Sequence, residues 1–282
     1  MKFFQLVIEN CYRNLIRTLL TALGTIVLVA VVTLVWSVLE FLQNVTSERN
    51  NNIKAIVSER WSLPSQMPMS YATKLCEGAA EKPGDLKPED SMTWTFFGAS
   101  IEKDPKLQSW DNRLFAFCLE PRTLLTMMDE LDQLTGPEKA AWQKTVERLQ
   151  ANPQGIIMGK TKLQKLHKNI GDRFTIHSFN YKGIDLEVEV VGEFPVARYD
   201  SSCALDIAYF QRAMDAYPPT HNNQPHPQAG KMLNLVWLRV PDTVAFNQVA
   251  QQISSSPSFS SPAVKVETYA SGIATLWKRI VI

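Results

Sequence analysis

The chain has 282 residues, of which 45% are hydrophobic and 20% are charged. Its 29 basic and 28 acidic side chains give a net charge of +1. This balance excludes the strongly basic composition typical of nucleic-acid-binding proteins, and we predict no nucleic-acid partner. The length leaves room for one large or two small domains beyond a membrane anchor.

Residues 1–18 predict a cytoplasmic amphipathic helix. Apolar side chains recur at helical spacing, and Glu9 and Arg13 form a favourable i,i+4 pair. The apolar positions are Phe4, Ile8, Cys11 and Leu15. Such a helix would lie along the inner membrane surface. It is either a docking surface for a cytoplasmic partner or an ordinary basic anchor at the interface, and the pattern favours the anchor.

Residues 19–39 predict a single transmembrane helix. No charged side chain lies between Arg17 and Glu40, and the run has the length that a hydrocarbon layer of about 30 Å requires. Gly24 would permit close helix packing, and Trp36 lies near the far end, where an indole favours the interface. The lipid bilayer is therefore a predicted partner of the chain.

The flanking charges predict the orientation of this helix. Lys2, Arg13 and Arg17 precede it, whereas the acidic residues Glu40 and Glu48 follow it. Because basic residues stay on the cytoplasmic side, we expect a cytoplasmic amino terminus at the inner membrane. A cleaved signal peptide is the alternative interpretation. The run is longer than a signal core and no small-residue cleavage site follows it, which favours an uncleaved anchor.

Residues 40–268 predict a mixed α/β extracytoplasmic domain, so the fold class is α+β. Predicted strands lie at residues 113–119, 156–158, 173–178, 184–194, 233–240 and 264–268. Predicted helices lie at residues 70–80, 123–134, 137–149, 160–167, 206–216 and 242–253, with the second and third forming a helical hairpin. Residues 217–227 and 254–262 are predicted surface loops rich in Pro, Asn or Ser.

The order of these elements resembles the MacB/FtsX-type ABC transporter permease family. The segment RNLIRTLLTALG resembles the family's entry to its first membrane helix. The segments IIMGKTKLQKLHKNIGDRFTI and LEVEVVGEF resemble the strand, helix, Gly-Asp, strand and Val-Val-Gly pattern of its periplasmic core domain. Gly171, Asp172 and Gly192 belong to that pattern, and we expect the two glycines to hold turns. The resemblance extends to about residue 268. Its motifs are mostly structural and give little indication of the substrate.

This resemblance implies a permease subunit that pairs with a separate ABC ATPase and couples ATP hydrolysis to movement of the outer domain. A second membrane polypeptide or a second copy of the chain is a further implied partner. The family has three more membrane helices after the outer domain, whereas here residues 269–282 resemble only the start of a helix. The two interpretations are a truncated or split permease, which is slightly favoured, and a stand-alone membrane-tethered binding or scaffolding protein of the envelope.

No catalytic constellation is found in the sequence, and we predict neither enzyme activity nor a cofactor or metal. There is no GxxxxGK[ST] loop for ATP, and no GxSxG turn surrounds Ser201 and Ser202. The cysteines are too far apart for a metal knuckle, and we predict no disulfide. His221 and His226 share a loop and are more typical of solvated histidines than of metal ligands.

Two further groups have a structural interpretation in the sequence. Asp129, Glu130 and Asp132 fit the solvated side of the amphipathic helix predicted at residues 123–134. Five tryptophans beyond the membrane helix would either line a ligand groove or belong to the core, and the core is favoured. They are Trp61, Trp94, Trp110, Trp142 and Trp237.

Overall fold

The computed structural model describes residues 15–50, 53–62, 64–220 and 222–268, with side chains described from residue 16 to residue 40 in the first range. The chain forms two compact units, Met1–Asn51 and Asn52–Ile282. Most of the amphipathic helix predicted at residues 1–18 and all of residues 269–282 lie outside the described residues.

The described residues of the first unit form one long helix, α1 (Leu15–Asn50). It continues well past residue 39, so the predicted boundary at residue 40 falls inside the helix and the second unit begins at Asn52. Three threonine hydroxyls donate to carbonyls one turn back, as in Thr25 Oγ1 to Thr21 O at 2.8 Å and Thr33 Oγ1 to Val29 O at 2.9 Å. These polar groups are therefore paired within the helix itself, as an apolar environment requires.

The second unit has an α+β fold. Its strands are β1 (Ile53–Glu59), β2 (Asp90–Ser100), β3 (Arg113–Leu119), β4 (Gly155–Met158), β5 (Arg173–Ser178), β6 (Asp185–Glu193), β7 (Cys203–Asp206), β8 (Leu235–Val240) and β9 (Val264–Thr268). Its helices are α2 (Ala72–Cys76), α3 (Gly136–Ala151), α4 (Lys160–Leu166), α5 (Ile207–Asp215), α6 (Tyr217–Thr220) and α7 (Thr243–Ser255).

Six strands of this unit form a closed ring. The order of pairing is β2, β3, β7, β4, β6, β5 and back to β2. The pairings β3–β7 and β4–β6 are parallel, and the others are antiparallel. Because closure pairs every strand on both sides, the ring has few free edges.

The second half of the unit is an open sheet in the order β2, β8, β1, β9. All three pairings in it are antiparallel. Strand β2 belongs to both parts, because Asp90 to Trp94 pair with β8 whereas Thr95 to Ser100 pair with β3. The ring and the open sheet are therefore joined through one continuous strand.

The core lies on both faces of these strands. On one face of the ring, Leu186, Val188 and Val190 of β6 share a cluster with Phe210 of α5 and Leu163 of α4. On the other face, α3 packs through Trp142, Val146 and Leu149 against ring strands and the start of the open sheet. Helix α7 covers the open sheet through Val249 and Ile253. Apolar burial on both sides accounts for the stability of this two-part sheet.

The prediction of a helix at residues 123–134 is wrong, and so is the prediction of a helical hairpin. A short 3₁₀ helix, Pro121–Leu125, is followed by turns through residue 133. Met127, Met128 and Leu131 are fully buried as the apolar pattern suggested, but they reach the core from an irregular segment. Asp129 and Asp132 accordingly do not line a solvated helix face.

Gly192 lies inside β6 and not in a turn, which corrects its predicted role. A Cβ atom added at this position would lie less than 3.0 Å from Thr145 Cγ2 of α3. Real Cβ atoms essentially never come that close to a neighbouring atom. The absent side chain therefore lets α3 approach the ring closely.

We expect Gly192→Ala to destabilise the second unit by about 1–3 kcal/mol, the usual cost of overpacking. Thr145→Ser removes only the methyl group and should recover most of this loss, because the remaining Thr145 atoms would be 3.4 Å away. Thermal unfolding of the full chain in detergent, in a double-mutant cycle, measures the coupling between the two positions. If Gly192→Ala lowers the stability equally in the wild-type and the Thr145→Ser background, this packing argument is contradicted.

Candidate interaction sites

Three of the residues predicted to set membrane topology and helix packing lie on α1. Arg17, Gly24 and Trp36 are all described there, and Arg17 and Trp36 are exposed. Arg13 lies outside the described residues. One helix segment among the described residues, Ile16–Glu40, is long and apolar enough to cross a membrane. At 1.5 Å per residue its length of 25 residues corresponds to about 37 Å, which exceeds a hydrocarbon core of about 30 Å.

The motif that carries the family resemblance folds as one connected stretch of the ring. It forms β4, α4, a turn, β5 and β6 in chain order. Gly171 has a φ of +97°, a conformation that L side chains rarely adopt, and its N–H donates to Val190 O at 2.8 Å. Asp172 accepts from Asn169 N at 2.8 Å through Oδ2. Together they fix the start of β5 against β6.

An open groove of about 700 Å³ runs beside α4. Leu163 and Ile170 supply its apolar part, and basic or polar side chains surround them together with the single carboxylate of Glu193. The other lining residues are Lys160, Gln164, His167, Lys168 and Asn169. This groove is basic in character, and sequence reasoning did not single it out.

A buried ion triad lies at the start of the open sheet. Lys54 Nζ is 2.6 Å from Asp129 Oδ1 and 2.6 Å from Asp132 Oδ2, and the lysine side chain is only 5% exposed. Asp132 Oδ1 is buried without a hydrogen-bond partner among the described residues. Buried charges require partners, so Lys54 ties β1 to the irregular segment that contains both carboxylates.

The nucleophile and metal candidates occupy structural positions. Ser201 lies in a turn, and Ser202 follows it directly before β7, where its carbonyl accepts from Gly159 N at 2.9 Å. His226 is buried, which corrects the expectation of a solvated histidine. It accepts from Gln228 N at 3.0 Å through Nδ1 and contacts Lys182 O through Nε2 at 3.2 Å. Among the described residues no three His, Cys, Asp or Glu side chains gather as a metal site, and His221 lies outside them.

The cysteines of the second unit, Cys76, Cys118 and Cys203, are free thiols. Burial raises the pKa of Cys203 to about 12 and also raises the pKa values of Cys118 and Cys76. Because a thiolate is the reactive form, Cys118 and Cys203 remain protonated and inert at neutral pH.

The tryptophans divide between core and surface. Trp94, Trp142 and Trp237 are buried, and Trp94 stacks on Trp237 with ring centroids 4.7 Å apart. Trp61 and Trp110 are 83% and 72% exposed. The core interpretation holds for the first three, whereas the exposed pair requires another explanation.

No protein-family model matches the chain, and no curated protein matches it in sequence. Among solved structures, the chain is similar to the periplasmic region of MacB from Actinobacillus actinomycetemcomitans, with a TM-score of 0.42 and 10% sequence identity. The likeness covers 79% of this chain and 92% of that chain.

Proposed function

We propose that the chain is a permease subunit of the MacB/FtsX type, anchored in the inner membrane by α1, with its second unit outside the cytoplasm. In this proposal a separate ABC ATPase drives movement of the second unit, which binds a partner in the envelope. The subunit acts by binding and motion and carries out no covalent chemistry. A second membrane polypeptide or a second copy of the chain completes the membrane part.

The observation that carries this proposal is the segment Ile16–Glu40, whose apolar side chains are exposed all around the helix. Such a surface is unfavourable in water and favourable in lipid. The sequence motifs that resemble the permease family support the finer assignment, since they fall on consecutive elements of the ring. The flanking Arg13 and Arg17 support a cytoplasmic amino terminus.

The experiment that tests the proposal is a mild-detergent purification of the tagged full chain from its native membrane, followed by mass spectrometry. We expect an ABC ATPase to co-purify in stable proportion to the chain. The matched control is the chain with Phe4→Ser and Ile8→Ser, which keeps Lys2, Arg13 and Arg17 and should lose the ATPase if residues 1–18 carry the contact. Recovery of envelope proteins without any ATPase would overturn the permease assignment and favour a tethered scaffold.

We expect the double substitution Arg13→Glu, Arg17→Glu to move most molecules out of their normal orientation, because it reverses the charge bias across the membrane helix. Protease accessibility of the second unit in spheroplasts measures this change. The charge-conserving variant Arg13→Lys, Arg17→Lys should keep the normal orientation. If the charge-reversed chain stays as accessible as the control, these two arginines do not determine topology.

A further inference from the structure

An exposed group of aromatic side chains surrounds one arginine on the ring. We call it the aromatic–arginine platform, and it consists of Trp110, Arg113, Phe115 and Phe179. Trp110 precedes β3, Arg113 and Phe115 lie on β3, and Phe179 directly follows β5. Trp110 is 72% exposed and Phe115 is 42% exposed. Large exposed aromatics in one place are typical of interaction sites.

The arginine is held between two rings. The guanidinium carbon of Arg113 is 5.4 Å from the Trp110 ring centroid and 5.7 Å from the Phe179 ring centroid. Phe179 in turn meets Phe115 edge to face, with centroids 5.7 Å apart. Both arginine distances fall within the range of cation–π attraction, so the guanidinium of the half-buried Arg113 is held in one position.

The platform is organised before any partner arrives. The Phe179 ring lies directly on Gly98, where even a Cβ atom would clash with it. The side chain of Asn180 accepts from Gly98 N at 3.0 Å and donates to Phe96 O at 2.9 Å, which fixes the turn that carries Phe179. A rigid surface loses little conformational entropy on binding, which favours affinity.

The platform carries uncompensated positive charge. Arg113 forms no ion pair with any described residue, and its Nε is buried without a hydrogen-bond partner among them. Buried Lys162 donates to the Arg113 carbonyl at 2.6 Å, and burial lowers the pKa of this lysine. The nearby Asp111 is already paired with Lys165 at 2.9 Å. The surface therefore lacks an anionic group at the arginine.

We propose that the aromatic–arginine platform binds an acidic segment of a partner protein in the envelope. A carboxylate of that segment pairs with the Arg113 guanidinium, and an adjacent apolar side chain covers Trp110 and Phe115. Tryptophan and arginine are the residues that dominate protein interfaces, and an arginine fork matches a carboxylate in geometry. This inference rests on the proposed function only in placing the second unit among envelope proteins.

The probe is a library of short random peptides displayed on phage and selected on the purified full chain in detergent. We expect enriched peptides to combine Asp or Glu with an adjacent aromatic or aliphatic residue. Trp110→Ala and Arg113→Gln should each weaken their binding by about tenfold or more, which is typical of central interface residues. Trp110 is largely exposed, so its replacement should leave folding intact.

Trp61→Ala is the matched control, because Trp61 is also an exposed tryptophan but lies outside the platform. It should leave peptide binding unchanged. Enrichment without acidic residues, or binding that survives both platform substitutions, would overturn the proposal. So would platform-dependent binding to phosphatidylglycerol vesicles, or self-association abolished by Trp110→Ala, with no peptide binding. The assay contains no ATPase, so its outcome is separate from the test of the permease assignment.

Discussion

Replacing Lys54 with methionine is expected to destabilise the second unit by about 3–5 kcal/mol, because it leaves two carboxylates without their buried cation. Lys54 Nζ lies 2.6 Å from both Asp129 and Asp132, whose side chains are 20% and 10% exposed. Methionine preserves most of the side-chain volume. The expected loss therefore comes from electrostatics and not from a cavity.

Thermal unfolding of the full chain in detergent measures this effect, since about 1 kcal/mol shifts Tm by about 2–4 °C in a domain of this size. Lys87→Met is the matched control, because Lys87 pairs with Glu77 at 3.3 Å at the surface. Its loss should stay within about 1 kcal/mol. Adding Asp129→Asn and Asp132→Asn to Lys54→Met should restore part of the stability. A Lys54→Met chain as stable as the Lys87→Met chain would contradict the role of the triad.

The second large effect is expected at Gly159, the N-cap residue of α4. A Cβ atom added here would lie less than 3.0 Å from the carbonyl oxygen of Tyr199 and from backbone atoms of Asp200. Backbone cannot rotate away as a side chain can. The two segments are also joined by Gly159 N to Ser202 O at 2.9 Å and Lys162 N to Asp200 O at 3.0 Å. Gly159→Ala should therefore cost about 3 kcal/mol or more, at the upper end of overpacking effects.

Gly230→Ala is the control for this substitution, because a Cβ atom there would meet nothing within 4 Å. Unfolding by urea, followed by tryptophan fluorescence, compares the two variants. We expect a clearly lower midpoint for Gly159→Ala and an unchanged one for Gly230→Ala. Coincident midpoints would mean that the segment of residues 199–202 moves aside without cost.

The sequence predicted those elements whose pattern is set locally. The strands at residues 113–119, 173–178 and 264–268 are observed at the predicted bounds, since their apolar residues alternate or form short β-branched runs. Helix α7 begins after Asp242, whose side chain accepts from Ala245 N at 2.8 Å as a cap. Such signals lie within a few residues of the element that they define.

Three strands, β1, β2 and β7, were not predicted, and the patterns of the first two depend on distant partners. Strand β1 is buried along almost its whole length, including the polar Lys54 and Ser58, so it shows no alternation. Strand β2 changes neighbours along its length, from β8 to β3 and β5, and its burial pattern changes accordingly. A local window cannot detect either arrangement.

The candidate sites were less predictable than the fold. Lys54 and Asp129 are 75 residues apart in the chain, so the triad has no local sequence signature. The apolar spacing of Met127, Met128 and Leu131 favoured a helix, but the contacts of Asp129 and Asp132 with Lys54 hold this segment in another shape. Trp110 and Phe179 lie far apart in the chain and both reach Arg113 because β3 and β5 pair with the same strand, β2.

Strand β2 also determines how the second unit would carry force. A load applied at Ile53, which follows α1 closely in sequence, would reach the ring through two rows of hydrogen bonds, β1–β8 and β8–β2. In antiparallel pairs these bonds run perpendicular to the strands, so a pull along β1 strains a whole row in shear and does not open it bond by bond. Within the second unit, a displacement of β1 along its length would therefore reach β2 and the ring with little extension of the open sheet.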